Sequence, residues 1–115
     1  MRRTVLTIAA ALLLTGCTTH RDLYAWGSYE DLIYVSYNSP GKLTPEQQIE
    51  KLQEDFQKAR ATGARLPPGW HAHLGYLYAQ TGHPDQARQE LLLEKAQFPE
   101  SAILVDHLLS NLNKP

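Results

Sequence analysis

The side chains best suited to metal binding in this 115-residue chain are its histidines. His71 and His73 are two positions apart, so on a helix their side chains point about 200° from each other. Helical metal sites use histidines four positions apart, which lie on one face. His83 and His107 fall in a predicted turn and a predicted final helix, and one cysteine is too few for most zinc sites. We therefore predict no metal site and interpret these histidines as surface and turn residues.

Hydroxyl and carboxylate groups give no catalytic pattern either. None of the serines lies in the Gly-x-Ser-x-Gly turn that exposes a nucleophile. The neighbouring acids Glu54 and Asp55 fall among lysines on the polar face of a predicted helix, where nothing indicates the raised pKa of a general acid. The sequence contains no glycine-rich phosphate loop. We therefore predict that the protein is not an enzyme.

The only cysteine, Cys17, follows a stretch with the composition of a secretory signal. Arg2 and Arg3 form a basic start, residues 5–14 are almost entirely apolar, and two small residues then precede the cysteine. The apolar run has about ten residues, whereas a membrane-spanning helix needs about twenty. We therefore interpret this stretch as a secretory signal and not as a transmembrane helix.

The four residues Leu14, Thr15, Gly16 and Cys17 resemble the lipobox of bacterial lipoproteins, in which a leucine and two small residues precede the cysteine. The resemblance implies that residues 1–16 are cleaved off and that the thiol and the new amino group of Cys17 carry acyl chains. Several acyl chains together make a membrane anchor effectively permanent. The alternative interpretation is an ordinary cleaved signal with a cysteine there by chance.

Residues 17–23 would then form the lipidated cysteine and a tether to the folded domain. In enterobacterial lipoproteins an aspartate directly after the cysteine favours the inner membrane, and this chain has Thr18 at that position. The resemblance therefore implies the periplasmic face of the outer membrane. After the signal, acidic residues outnumber basic ones and no basic patch occurs, so nucleic acid is not an expected partner.

The start of the domain is rich in aromatic residues. A serine followed by two acidic residues predicts a helix over about residues 29–37, with Ser28 as its N-cap. Two interpretations of the rings remain open: they fill the core of a small domain, or they form a partly exposed contact surface, where Tyr and Trp are enriched. The aromatic residues are Tyr24, Trp26, Tyr29, Tyr34 and Tyr37.

The next helix is predicted over residues 45–62. Thr44 is its N-cap, Gln47 completes a capping box, and proline suits the first helical position. Apolar residues recur every three or four positions along one face, as in an amphipathic helix. The opposite face, which includes Asp55, is expected to contact solvent. The apolar positions are Ile49, Leu52, Phe56 and Ala59.

Residues 68–101 predict two helices separated by a Gly-His-Pro turn, and this hairpin resembles one tetratricopeptide repeat. Small residues at two signature positions would let the two antiparallel helices approach closely. The residues at signature positions of that family are Leu74, Gly75, Tyr78, Ala87 and Pro99.

Two positions of the hairpin depart from the repeat pattern. Trp70 falls one residue before the usual aromatic position, which holds His71. Glu94 stands where the family usually has a small alanine. Its bulk either weakens the contact to a following helix, or its stem packs against the fold while its carboxylate reaches water.

A last helix over about residues 102–113, with Ser101 as its N-cap, carries an apolar stripe that would cover the C-terminal side of the hairpin. One repeat cannot bury its own faces, so the two helices at 29–37 and 45–62 should cover the other side. We therefore predict an all-α fold, in which residues 24–115 form a single domain, a short right-handed stack of about five helices. The stripe consists of Leu104, Val105, Leu108, Leu109 and Leu112.

The pattern after the signal also resembles a family of small bacterial lipoproteins of unknown function. The likeness rests on the aromatic segment, with its Trp26-Gly27 pair, on Pro40-Gly41 and on the repeat-like hairpin. Members of that family look to be encoded beside an outer-membrane lipoprotein similar to the curli-secretion channel. The resemblance implies a shared envelope assembly, and it supplies no reaction.

The first helix of each tetratricopeptide hairpin lines the concave face of such stacks, so the resemblance implies an apolar and aromatic partner groove. The Lys and Asn set that clamps the terminal carboxylate of a peptide is missing, so a C-terminal peptide is not the favoured ligand. Tyr76 has an alternative role as a residue that packs between repeats. The expected groove residues are Ala72, Tyr76, Gln80, Tyr34 and Tyr37.

These features predict a non-enzymatic lipoprotein on the periplasmic side of the outer membrane, acting as an interaction adaptor or assembly factor for an envelope complex. Its partners would be the outer membrane, through the lipid on Cys17, and other envelope lipoproteins, including one similar to the curli-secretion channel. No cofactor is expected apart from the covalent lipid. The alternative is a peptidoglycan-associated or purely structural envelope protein.

Overall fold

The computed structural model describes residues 22–114, which form five α-helices and one short 3-10 helix. The prediction of a short all-α stack is confirmed for this range. The lipobox Leu14, Thr15, Gly16 and Cys17 and the signal over residues 1–16 lie outside the described residues. None of the described helices is both long enough and apolar enough to cross a membrane. The helices are α1 (Tyr29–Asn38), α2 (Pro45–Thr62), α3 (Trp70–Gln80), α4 (Pro84–Gln97), the 3-10 helix (Pro99–Ser101) and α5 (Ala102–Leu112).

Helix α2 begins where its sequence predicts. The Gln47 amide donates a hydrogen bond to the Thr44 hydroxyl at 3.2 Å, and the Thr44 amide donates one to the Gln47 side chain at 2.9 Å. This reciprocal pair is the predicted capping box, and it satisfies two amides at the helix start. The predicted apolar face is also confirmed, because Leu52 and Ala59 are buried and Phe56 packs at the edge of the core.

The hairpin of α3 and α4 lies at the centre of the stack. A Cβ atom at Gly75 would lie 3.0 Å from Leu91 Cγ and 3.1 Å from the Ala87 carbonyl oxygen, so a larger side chain would push the two helices apart. Leu74, Tyr78 and Ala87 are buried. The small residues of the hairpin thus permit the close helix contact that the sequence predicts, and Pro99 begins the 3-10 helix that follows α4.

Two apolar clusters connect the hairpin to the other helices. The larger cluster joins Leu32 of α1 and Leu52 of α2 to Trp70 of α3. The smaller one joins Ala72 of α3 and Leu91 of α4 to α5, whose Val105 is fully buried. Helices α1 and α2 therefore cover one side of the hairpin and α5 covers the other, as predicted.

Glu94 connects α4 to the start of α3. Its side chain is 2% exposed, and its carboxylate accepts a hydrogen bond from the Gly69 amide at 2.7 Å and one from the Ala72 amide at 3.3 Å. Of the two interpretations of Glu94, the one in which its carboxylate reaches water is therefore wrong. Gly69, the N-cap of α3, has a φ of 90° and no side chain that could accept a hydrogen bond from the helix. The carboxylate from α4 supplies that acceptor, at the end of α3 where the helix dipole favours a negative charge.

Asp55 has the same relation to α1. It is 8% exposed, and its carboxylate accepts hydrogen bonds from the amide of Ser28, at 2.7 Å, and from the hydroxyl of Ser28. The prediction that Asp55 lies on the solvent side of α2 is therefore wrong. Ser28 does occupy the N-cap position of α1, but its side chain makes no capping hydrogen bond, because its hydroxyl donates to Asp55 instead.

Helix α5 covers the hairpin with fewer side chains than predicted. Val105 is buried and Leu108 is partly buried, whereas Leu104 is more than half exposed. Ser101 precedes α5, but its hydroxyl donates to the Phe98 carbonyl at 2.7 Å and does not cap the helix. An apolar side chain of α5 therefore lies at the surface, where the sequence pattern placed it in the core.

The aromatic segment is divided between core and surface. Tyr24 and Tyr29 are partly buried, while Trp26 is more exposed. Tyr34 is 67% exposed and Tyr37 is 80% exposed, although they lie on the same short helix as buried Leu32. The core interpretation therefore holds for part of this segment, and the exposed rings leave the contact-surface interpretation a prediction for the rest.

We predict that Glu94→Ala lowers the free energy of unfolding by about 2–3 kcal/mol, because it leaves two amides of α3 without an acceptor and removes a buried side chain. Chemical denaturation followed by circular dichroism measures this change. Glu100→Ala removes an exposed carboxylate nearby and serves as the control, with little expected effect. An equal loss in both variants would contradict the role of Glu94.

Asp55→Ala should lower stability by about 1–2 kcal/mol, since it removes the acceptor at the start of α1. The loss should concentrate in α1, whose amides would exchange faster with deuterated solvent than those of α3. The neighbouring Glu54→Ala is the matched control, because Glu54 is exposed. Unchanged exchange in α1 of Asp55→Ala would show that the packed side chains of α1, and not Asp55, hold this helix.

Candidate binding groove

An open groove lies between α1 and α3, and we refer to it as the α1/α3 groove. Its volume is about 720 Å³, within the range of protein ligand sites. The turn between α1 and α2, the first turn of α2, and α5 complete its lining. The residues that its three main helices contribute include Ile33 and Tyr37 from α1, Ala72, His73, Tyr76 and Gln80 from α3, and Leu104 and Leu108 from α5.

Most of the residues that the sequence assigns to a partner groove lie together here. Tyr37, Ala72, Tyr76 and Gln80 line the α1/α3 groove, but Tyr34 does not. Tyr34 is 67% exposed, and the structure does not bring it together with the other four residues.

Tyr76 presents an aromatic ring with a fixed hydroxyl. The Gln80 side chain, one turn later on α3, donates a hydrogen bond to the Tyr76 hydroxyl at 2.9 Å. The ring itself is 48% exposed. The alternative role of Tyr76, as a residue buried between repeats, is not seen in the described part of the chain. The ring is therefore accessible to a partner while its hydroxyl is held by a neighbour.

The lining is electrically neutral. Of the described residues that line the groove, none is Asp, Glu, Lys or Arg. Burial lowers the pKa of His73 below its ordinary value of 6.5, so this histidine is uncharged at pH 7. Burial likewise raises the pKa of Tyr29, with smaller contributions from Glu94 and Tyr37, so its phenol stays protonated. The groove therefore suits apolar or uncharged polar groups.

His73 and Tyr29 connect the groove to the start of α3. Their rings lie 6.1 Å apart in an edge-to-face arrangement. The Tyr29 hydroxyl lies so close to Gly69 that a Cβ atom there would come within 2.5 Å of it. The Nε2 atom of His73 is buried without a hydrogen-bond partner among the described residues, which adds to the cost of charging the ring. At this end of the groove, the wall is therefore formed where Tyr29 of α1 packs against Gly69 and His73 at the start of α3.

A histidine–carboxylate pair lies in a second cleft, between α2, α3 and α4. His71 Nδ1 lies 2.6 Å from Glu90 Oε2, and His71 is buried, so the prediction of a surface histidine is wrong here. Such a pair activates a neighbouring Ser or Cys in hydrolases. The described residues that line this cleft include no Ser, Thr or Cys. We therefore assign the pair a structural role, in which it joins the first turn of α3 to α4.

The potential metal-binding side chains of the domain are spread over its surface and core. Across residues 22–114, no three His, Cys, Asp or Glu side chains come together in a way that could hold a metal ion. The histidines at 71 and 73 lie on different sides of α3, since one contacts Glu90 and the other faces Tyr29.

Sequence reasoning missed several residues of the groove. Ile33 and His73 were not assigned to it, and Leu104 and Leu108 were assigned to the core. The apolar stripe of α5 holds a usable signal, because Leu104 and Val105 are consecutive and lie about 100° apart on a helix, so both cannot face the hairpin equally. No comparable signal marked His73, whose position depends on Tyr29 from a different helix.

Comparison with known proteins identifies one family. Its sequence model, described as a domain of unknown function (DUF4810), matches residues 23–108, which is most of the chain. No curated protein and no solved structure matches the chain.

We predict that protonation of His73 destabilises the fold. Its pKa is lowered in the folded state, so the unfolded chain binds more protons between that pKa and about 6.5, and the free energy of unfolding falls as the pH drops below about 6.5. His73→Gln should therefore show a smaller loss of stability between about pH 7 and pH 5 than the unchanged protein does. Denaturation curves across this range measure both slopes. Identical slopes would mean that other groups cause the dependence.

Proposed function

The chain belongs to the DUF4810 family, and we propose that it is a non-catalytic adaptor, anchored by lipid on Cys17 to the periplasmic face of the outer membrane. In this proposal the α1/α3 groove binds a segment of a partner protein and so assembles an envelope complex. The observation that carries the proposal is a large, neutral groove with two exposed tyrosine rings, Tyr37 and Tyr76, on opposite helices.

The lining of the groove indicates the chemistry of its partner. Exposed aromatic side chains supply much of the binding energy at protein interfaces. A charged side chain would lose its hydration here without gaining an ion pair, because the described lining residues carry no formal charge. The partner segment should therefore present apolar side chains and few charges to the groove. Gln80, an exposed residue of the lining, offers its amide oxygen for a hydrogen bond from a partner backbone.

The lipobox-like segment supports the anchored part of the proposal. A lipid on Cys17 would confine the domain to a plane, which raises its effective concentration for partners in the same membrane. Modest affinity in the groove would then be sufficient for assembly. The resemblance to lipoproteins encoded beside a curli-secretion-channel-like lipoprotein makes that class of outer-membrane lipoprotein the first partner to test.

A photocrosslinking amino acid in place of Tyr76 or Tyr37, incorporated in living cells, tests the groove directly. We expect the same envelope protein to crosslink from both positions, because both line the groove. Tyr34 is the matched control position, since it is an exposed tyrosine of α1 that does not line the groove. The crosslink should weaken with Cys17→Ala, which removes the proposed anchor.

Tyr76→Ala should reduce binding of that partner by roughly tenfold or more, as expected for an aromatic residue at the centre of an interface. Titration of the purified domain with the purified partner measures the change, and circular dichroism checks that the variant is folded. Tyr34→Ala should bind normally. Equal crosslinking from all three positions, together with saturable binding to purified sacculi, would instead favour a peptidoglycan-associated structural role.

A further inference from the structure

The segment that enters the domain forms an exposed apolar edge. Leu23 is 80% exposed, and Trp26 is also exposed although it is a large aromatic residue. Tyr24 lies between them, with its ring 6.3 Å from the Trp26 ring. We call the surface formed by Leu23, Tyr24, Trp26, Arg60 and Arg65 the N-terminal edge.

This edge is fixed to the body of the domain. The Ala25 amide donates a hydrogen bond to the Arg65 carbonyl at 2.7 Å. Tyr24 and Arg65 are thereby paired in an isolated parallel β-bridge. The Tyr24 ring also contacts the Phe98 ring, 6.2 Å away, at the end of α4. Tyr24 and Ala25 are therefore held against Phe98 and the loop that precedes α3, and Leu23 and Trp26 flank them in the chain.

Two arginines extend the same surface. The Arg65 guanidinium lies 5.7 Å from the centre of the Tyr24 ring, and Arg60 and Arg65 line one shallow cleft. Both arginines are exposed, and neither forms an ion pair within residues 22–114. Asp22 is the acidic residue of this segment, and it too is exposed. The edge thus combines two exposed apolar side chains, Leu23 and Trp26, with a net positive charge.

The length of the chain before the edge limits its distance from a lipid on Cys17. Five residue steps separate Cys17 from Asp22, and a fully extended chain covers at most about 3.5 Å per residue, or roughly 17 Å in total. Helix α2 alone has 18 residues and is therefore about 27 Å long. If Cys17 is anchored in the membrane, the N-terminal edge therefore stays within a distance of the membrane that is shorter than helix α2.

We propose that the N-terminal edge rests on the phospholipid surface to which Cys17 is anchored. Trp26 and Leu23 enter the interfacial layer, where tryptophan is enriched in membrane proteins. Arg60 and Arg65 contact lipid phosphates, which guanidinium groups bind well. This inference rests on the lipid anchor of the proposed function. It adds a second membrane contact, which fixes the orientation of the α1/α3 groove relative to the membrane.

The two tryptophans of the chain allow a direct test, because Trp26 is exposed and Trp70 is 1% exposed. The full chain, expressed with its own residues 1–21 in a Gram-negative host, is purified and checked for lipid by mass spectrometry. It is then placed in vesicles of phosphatidylethanolamine and phosphatidylglycerol that contain lipids brominated near the headgroup. We expect the brominated lipid to quench the Trp26 emission. We also expect aqueous acrylamide to quench Trp26 less in the vesicle-bound protein than in Cys17→Ala, which carries no lipid and is measured in solution without detergent.

Two variants make the assignment specific. Trp26→Phe leaves only Trp70 and should lose the quenching by brominated lipid. Gln86→Trp in the Trp26→Phe background places an exposed indole near the start of α4, about 18 Å along that helix from Phe98, and should remain unquenched. Replacing Arg60 and Arg65 with glutamine should reduce quenching in vesicles that contain phosphatidylglycerol.

The outcomes separate this inference from the proposed function. Lipidated protein whose Trp26 stays open to acrylamide and insensitive to brominated lipid would overturn the membrane contact and leave the anchor intact. Equal quenching at Trp26 and at position 86 would also overturn it, because the domain would then have no fixed orientation. A mature protein without lipid mass would overturn both the anchor and this contact, whereas the crosslinks from the groove test the adaptor role separately.

Discussion

Helices α1, α2 and α4 all contact the N-terminus of α3, at Gly69 and Trp70. Glu94 from α4 accepts hydrogen bonds from the amides of Gly69 and Ala72, because the N-cap residue of α3 is a glycine with no side chain to accept them. The adjacent Trp70 stacks on Phe56 of α2, and Tyr29 of α1 lies against Gly69. One buried carboxylate therefore sits at a point that three other helices contact. These contacts also fix the position of α1 relative to α3, and hence the shape of the groove between them.

The fold uses the same physical device twice. A carboxylate from a distant part of the sequence accepts a hydrogen bond from a backbone amide at the start of a helix: Asp55 does so for α1 and Glu94 for α3. A local N-cap stabilises a helix before it packs, whereas these two carboxylates can act only after the helices have docked. The beginnings of α1 and α3 are therefore coupled to tertiary packing, while α2, with its own capping box, is specified locally.

This difference also explains which features the sequence predicts. The capping box of Thr44 and Gln47, the small residues of the hairpin and the order of the helices follow from local patterns, and the structure has all three. The roles of Glu94 and Asp55 depend on partners more than twenty residues away, so a helical-face argument assigns Asp55 to solvent and the repeat pattern leaves two interpretations of Glu94 open. The same holds for the groove: Tyr76 and Gln80 follow from the repeat pattern, while His73 and Leu104 depend on how α1 and α5 pack.

The neutral lining of the groove has a kinetic consequence. Charged interfaces attract their partners over distances comparable to the Debye length, which speeds association and makes it sensitive to salt. A groove without formal charge exerts no such long-range attraction, so the rate of encounter with a neutral segment should vary little with ionic strength. Diffusion and orientation alone would then limit association, and confinement of both molecules to one surface would be the main way to accelerate it.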